Sequence, residues 1–151
     1  MPKTLYRVYV VELSKRVFNE NAKFRAANPQ YNGVLECLYV GMTSKIPKER
    51  FEQHKTGYRN KKGHRLSSNI VEKYGLYLRP SLYHHIDPVL TRAEALEIEE
   101  GLALELRRER YAVWYNWADM LIYFINYAYF RNVKRESASF LNPITGQDLP
   151  L

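Results

Sequence analysis

The stretch from Tyr39 to Gly57, YVGMTSKIPKERFEQHKTG, passes from strand to loop to helix and sets the frame for the rest of the chain. Tyr39 and Val40 close an apolar, strand-like run that begins at Val34 and stops at Gly41. Pro47 then stands at a favoured first helical position, because the N–H it lacks is one a helix leaves without an internal partner anyway. Gly57 suits the left-handed turn that ends such a helix. Arg50 and His54, four apart, share a face one turn apart. A guanidinium offers a planar fork of donors that matches a phosphate, and an imidazole exchanges a proton near neutral pH. The spacing alone would also fit any basic surface helix.

Upstream, Leu5 to Leu13 is dense in Val and Tyr and reads as a buried strand able to pair antiparallel with the Val34–Val40 run. Between them, residues 14–33 form a polar insertion with a helix expected from Arg16 to Ala27, stopped by Asn28-Pro29. Downstream, Gly57 to Ser68 is basic and aperiodic and reads as a loop. Ser67 or Ser68 is placed to cap a short helix, Asn69 to Tyr74, that Gly75 ends. Leu76 to Ile86 looks extended, with Pro80 marking an edge or a break. Thr91 and Glu94 form a capping box for a helix from Arg92 to about Arg110. Trp114 to Phe130 is aromatic and ambiguous between helix and strand, and Arg131 to Leu151 reads as a polar tail with a turn at Asn142-Pro143.

On the Arg92 helix, Ala95, Ile98, Leu102, Ala103 and Leu106 gather into one apolar stripe, and Glu99 falls inside it. Glu94, Glu97, Glu100 and Glu105 project elsewhere and are free to be solvated. A carboxylate on the core side costs several kcal/mol unless it meets a cation or a metal. Glu99 therefore calls for either a structural arginine partner or a bound metal ion.

The 151 residues suffice for one core, and 46% apolar content with thirteen tyrosines argues against a disordered chain. The net charge of +7 favours a polyanionic partner over a neutral one. Eight basic residues between Lys45 and Arg65 (Lys45, Lys48, Arg50, Lys55, Arg59, Lys61, Lys62, Arg65) face only Glu49 and Glu52. That stretch is a candidate phosphate-binding surface, or else a solvated basic loop. A single cysteine, Cys37, excludes an intrachain disulfide and a cysteine-cluster zinc site, and suggests a reducing, cytoplasmic setting. The opening MPKTLYRVYVVEL shows no signal-peptide pattern, and the longest apolar run is too short to span a bilayer as a helix. The His84-His85 pair fits a surface or core role better than a ligand role.

Tyr9 and Tyr39, read singly, are ordinary strand tyrosines. Their order with the other residues resembles the GIY-YIG nuclease family across roughly Leu5 to Asn116. Arg7-Val8-Tyr9 stands where the family has its first tripeptide, and Tyr39-Val40-Gly41 is similar to the second. The Tyr39–Gly57 stretch resembles the family's Y-I-G-x-T segment followed by R-x-x-x-H/Y, placing Arg50 on the catalytic arginine and His54 on the next active-site position. EALEIE resembles the A-L-x-x-E stretch whose glutamate holds the metal, here Glu99. Asn116 is the candidate for the family's late asparagine. The departures are Arg7 in place of a glycine, a long spacer between the tyrosine strands, an extra residue between Gly41 and Arg50, and a wide gap from Glu99 to Asn116.

The resemblance implies an α+β fold, a small antiparallel sheet flanked by helices, over a domain at 1–116 with the insertion at 14–33. Residues 117–151 would be an aromatic extension and polar tail packed on that domain. It implies a metal-dependent endonuclease acting on nucleic acid, DNA in the first instance. Mg2+ or Mn2+ would sit on Glu99, Arg50 would hold the phosphate, and Tyr9 or Tyr39 would help activate water with His54 tuning or receiving the proton. Lys45, Lys48, Lys55, Arg59, Lys61, Lys62 and Arg65 would grip the backbone. Two rivals stand beside it: a binding module of the same fold that has lost catalysis, and a scaffold protein that docks through Trp114 to Phe130.

Overall fold

The computed structural model describes residues 3–57 and 68–115. The chain divides into two compact units, Met1–Tyr115 and Asn116–Leu151, and the fold below is that of the first. Four strands, β1 (Arg7–Leu13), β2 (Cys37–Thr43), β3 (Gly75–Leu78) and β4 (Ala112–Trp114), form one sheet in the order β3-β1-β2-β4. The expected antiparallel pairing of the first two strands is present in full register, from Arg7 opposite Thr43 to Leu13 opposite Cys37. β3 is antiparallel to β1 as well. The sheet as a whole departs from the antiparallel expectation, because β4 runs parallel to β2. A parallel neighbour needs a long crossover, and a strand of three residues, ending where the aromatic run begins, carries too little alternation to announce itself.

The helices are α1 (Arg16–Glu20), α2 (Ala22–Ala27), α3 (Pro47–Thr56), α4 (Asn69–Tyr74) and α5 (Arg92–Arg108), with a 3-10 turn at Pro80–Leu82. The architecture is α+β, a small mixed sheet flanked by helices. α3 starts at Pro47 and ends at Gly57 in the left-handed region, and α4 begins at Ser68, whose hydroxyl accepts from Val71 N–H. α5 opens on the expected cap, Thr91 accepting from Glu94 N–H, and closes before Arg110. The helix expected over Arg16–Ala27 is broken in two, because Asn21 turns extended and uses its side chain to cap α2 at Phe24 N–H. Leu76–Ile86 is a short strand followed by the Pro80 turn rather than one extended segment.

The insertion is part of the core. Phe24 is fully buried and stacks 6.4 Å from Trp114, while buried Asn28 accepts the Val113 N–H at 2.7 Å. β1 and β2 are buried along most of their length, with Val8, Val10, Val11, Leu38 and Val40 at the centre. The stripe on α5 is as read: Ala95, Glu99, Leu102, Ala103 and Leu106 are buried, Ile98 is half-buried, and the other glutamates of the helix are exposed. Among the described residues no helix is long and apolar enough to cross a membrane.

Candidate active site

Strand register puts the two tyrosines together. Tyr9 lies opposite Gly41 and Val11 opposite Tyr39, so Tyr9 and Tyr39 are diagonal neighbours on one face, a spacing aromatic rings bridge. Their centroids are 6.2 Å apart. Gly41 makes this possible. A Cβ there would fall 2.7 Å from Tyr9 Cζ and Oη and 2.8 Å from Tyr39 Cε1. The glycine is thus required by space, and the strand's backbone would accept any residue.

α3 lays His54 over the same face. Its ring lies 6.3 Å from Tyr9 and 5.7 Å from Tyr39, and its Nε2 is 2.7 Å from Tyr9 Oη. The other ring nitrogen, Nδ1, accepts the Ser68 backbone N–H at 2.7 Å. A nitrogen that accepts carries no proton, so the neutral ring bears its hydrogen on Nε2 and donates it to Tyr9 Oη. Burial, and then the Arg50 charge, push the His54 pKa down to about 3. His54 is therefore a neutral donor to the Tyr9 oxygen. Protonating Nδ1 would displace the Ser68 N–H, so of the two roles expected for this histidine the geometry suits tuning rather than receiving the proton.

Glu99 reaches the cluster from α5 and Arg50 from α3. Tyr9 is pushed well above the usual tyrosine range by burial first, then by the Tyr39 and Glu99 charges, while Arg50 acts in the opposite sense through charge and a hydrogen bond. Tyr39 is pushed up to about 12, by burial and then the Glu99 charge, partly offset by Arg50 and by hydrogen bonding to Tyr9 and Ser68. Tyr9, Tyr39, His54 and Glu99 are all buried. Arg50, half-buried and donating to Gln53 Oε1 at 3.2 Å, is the member of the group that keeps contact with solvent.

The structure brings Tyr9, Tyr39, Arg50, His54 and Glu99 together from β1, β2, α3 and α5. Asn116 lies outside the described residues, as do Arg59, Lys61, Lys62 and Arg65. Lys48 is exposed, and Lys45 is exposed and paired with Glu49 at 3.4 Å. Lys55 has another role: its ammonium donates to the carbonyls of Glu72 and Gly75 at 3.1 and 2.9 Å, capping the end of α4. His84 and His85 are exposed, 5.9 Å apart. Ser68 was legible only as a helix cap; its amide also fixes the His54 tautomer, and nothing in its own neighbourhood of sequence signals that contact.

Comparison of the chain with protein-family models, with curated proteins and with solved structures gives no match.

Proposed function

We propose that this domain is a metal-dependent endonuclease of the GIY-YIG type that hydrolyses phosphodiester bonds in nucleic acid, DNA in the first instance. The observation that carries the reading is one shared face holding two phenols, an imidazole of fixed tautomer, a guanidinium and a buried carboxylate, drawn from four elements. Arg50, the partly open member, is suited to hold the phosphate through its planar fork. His54 donates to Tyr9 Oη, so the Tyr9 hydroxyl is free to direct its own proton at another acceptor. A hydrogen bond donated to the oxygen also favours the phenolate over the phenol. Tyr9 or Tyr39 would then move the proton of the attacking water, a role that asks for a phenol pKa below its resting value here.

The charge that most opposes ionisation of Tyr39 after burial is Glu99. Neutralising that carboxylate is what the base step needs. Among the described residues no three His, Cys, Asp or Glu gather into a metal cage. One carboxylate does not suit zinc, which takes three or four protein ligands, but it fits a hard Mg2+ or Mn2+ that keeps several waters and shares substrate phosphate oxygens. When bound on Glu99, such an ion supplies positive charge to the scissile phosphate and leaving oxygen.

Burial that keeps both phenols protonated, together with Arg7 in the place of a glycine, favours a second reading, a phosphate-binding module without cleavage. Labelled linear, nicked and branched DNA incubated with and without Mg2+ separates the two. The nuclease reading expects Mg2+-dependent cleavage that falls at least about a hundredfold in Glu99→Gln, with substrate binding retained. Binding without cleavage of any substrate at any Mg2+ concentration would favour the module instead.

A further inference from the structure

At the far end of α5 an open cavity of about 600 Å3 is lined, among the described residues, by Gln30, Leu104, Arg107, Arg108 and Arg110. Three of these are guanidinium groups and none is a carboxylate; the acidic residues nearest in sequence, Glu105 and Glu109, do not line it. Arg107 forms a fixed wall. Its Nε donates to Asn28 Oδ1 at 3.2 Å, its Nη2 donates to the Val113 carbonyl at 2.8 Å, and its guanidinium stands 5.4 Å from the Tyr115 ring. Gln30 is tethered opposite by its amide to the Tyr111 carbonyl at 3.5 Å. The side chains of Arg108 and Arg110 are exposed and make no hydrogen bond or ion pair among the described residues.

Cations at a helix C-terminus are favoured by the helix dipole, and that accounts for Arg107 and Arg108. It does not account for Arg110. The helix ends in a Schellman turn, Tyr111 N–H bonding to the Leu106 carbonyl and Arg110 N–H to the Arg107 carbonyl. In that turn the position of Arg110 is left-handed, with φ of 84°, where glycine is the favoured residue. Arg110 is the one non-glycine residue with positive φ among the described residues. Local backbone strain of this kind concentrates at functional sites, and here it brings a third guanidinium to a cavity that already holds two.

We infer that this cavity is a second anion site, taking a phosphate-bearing ligand through Arg108 and Arg110 with Arg107 as its preorganised wall. Planar guanidinium forks bind phosphate oxygens in pairs, which gives the site its chemical preference. Nine residues of helix, about 13 Å of rise, separate Arg108 from Glu99, so the ligand here is distinct from any phosphate held by Arg50. The inference does not depend on the nuclease reading.

The test is thermal melting of the full chain against inorganic pyrophosphate in the absence of divalent metal. Wild-type protein and Arg50→Gln should both rise in Tm with pyrophosphate. Arg110→Gly should bind about tenfold more weakly, and Arg108→Gln with Arg110→Gly should show no rise in the Arg50→Gln background. Because Arg110→Gly places the favoured residue in the turn, the lost response cannot be assigned to misfolding, and the metal-free, ligand-free Tm of each variant checks this directly. Competition by a short DNA duplex identifies backbone phosphate as the source, and its absence identifies a free phosphate compound; either result supports the site. An unchanged pyrophosphate response when both substitutions are made in the Arg50→Gln background, or its complete loss in Arg50→Gln alone, would overturn the inference.

Discussion

At the centre of the β1–β2 pair a glycine stands where the backbone would accept any residue, whereas in the turn that ends α5 an arginine stands where the backbone favours glycine. Gly41 is there because two tyrosine rings occupy the space over it. Arg110 is there although its conformation is strained, and its side chain opens on a basic cavity. Local backbone preference therefore fails to predict residue type at both places, for opposite reasons. In the first, rings from its own strand and the neighbouring one exclude a Cβ; in the second, a side chain is carried in spite of its conformational cost.

The largest effect expected from this contrast is at Gly41. Gly41→Ala would set a methyl 2.7 Å from Tyr9 Cζ and Oη and 2.8 Å from Tyr39 Cε1, closer than carbon atoms pack. Both rings are enclosed, so the domain should lose about 3 kcal/mol, the upper end for overpacking a filled core. Denaturant melts measure the loss. A cost below about 0.5 kcal/mol would mean that the rings move aside freely, and that the cluster is far less fixed than its hydrogen bonds imply.

The same contrast shows what was legible in the sequence and what was not. Caps and breaks carry short-range signals, so Pro47, Gly57, Ser68, Gly75 and the Thr91–Glu94 box mark their helices correctly. Glu99 was legible because a charge on an apolar helical stripe contradicts the stripe, and the helix indeed buries it. β4 was not legible, since its parallel pairing with β2 depends on everything between them. The break at Asn21 was missed because an asparagine within a helical run reads as a poor former until its side chain is seen capping the next helix. Lys55 counted as one more cation in a basic stretch, yet its ammonium lies on two carbonyls of the α4 terminus. Charge was readable from composition; the partner of each charge was not.

Proton binding sharpens the contrast further. The cluster has no room for a charge on His54, whereas the arginines of the turn carry theirs in the open. Folding lowers the His54 pKa from its ordinary 6.5 to about 3. Between those values the unfolded chain binds a proton that the folded domain refuses. Stability from the neutral ring is therefore complete above about pH 6.5 and drains as pH falls, by roughly 1.4 kcal/mol per unit. From pH 7 to pH 5 the loss should reach about 2 kcal/mol. Denaturant melts at the two pH values should show it in the wild type and a flatter profile in His54→Gln, which has no group titrating there. Equal slopes in the two proteins would show that the ring accepts its proton in the folded state, and the tautomer fixed by Ser68 would have to be abandoned.

The smallest expected effect lies at Arg110 and has the opposite sign from the one at Gly41. Replacing an L-residue held at positive φ by glycine removes the steric clash of its Cβ, but it also enlarges the conformational freedom of the unfolded chain. The first term favours the folded variant and the second opposes it. In a Schellman turn the first is the larger, because glycine populates the left-handed region about as readily as the right-handed one. Arg110 makes no side-chain hydrogen bond or ion pair among the described residues whose loss would offset the gain. Arg110→Gly should accordingly raise stability by roughly 0.5 to 1 kcal/mol, a small shift best resolved as a change in denaturant midpoint at constant slope. Arg110→Ala supplies the control: it removes the guanidinium yet keeps the Cβ and the strain, so it should leave stability near the wild-type value. If alanine stabilised as much as glycine, the gain would come from relieving repulsion among the three arginines rather than from the backbone. The cavity would then cost the domain through its charge, and the comparison with Gly41 would rest on electrostatics instead of conformation.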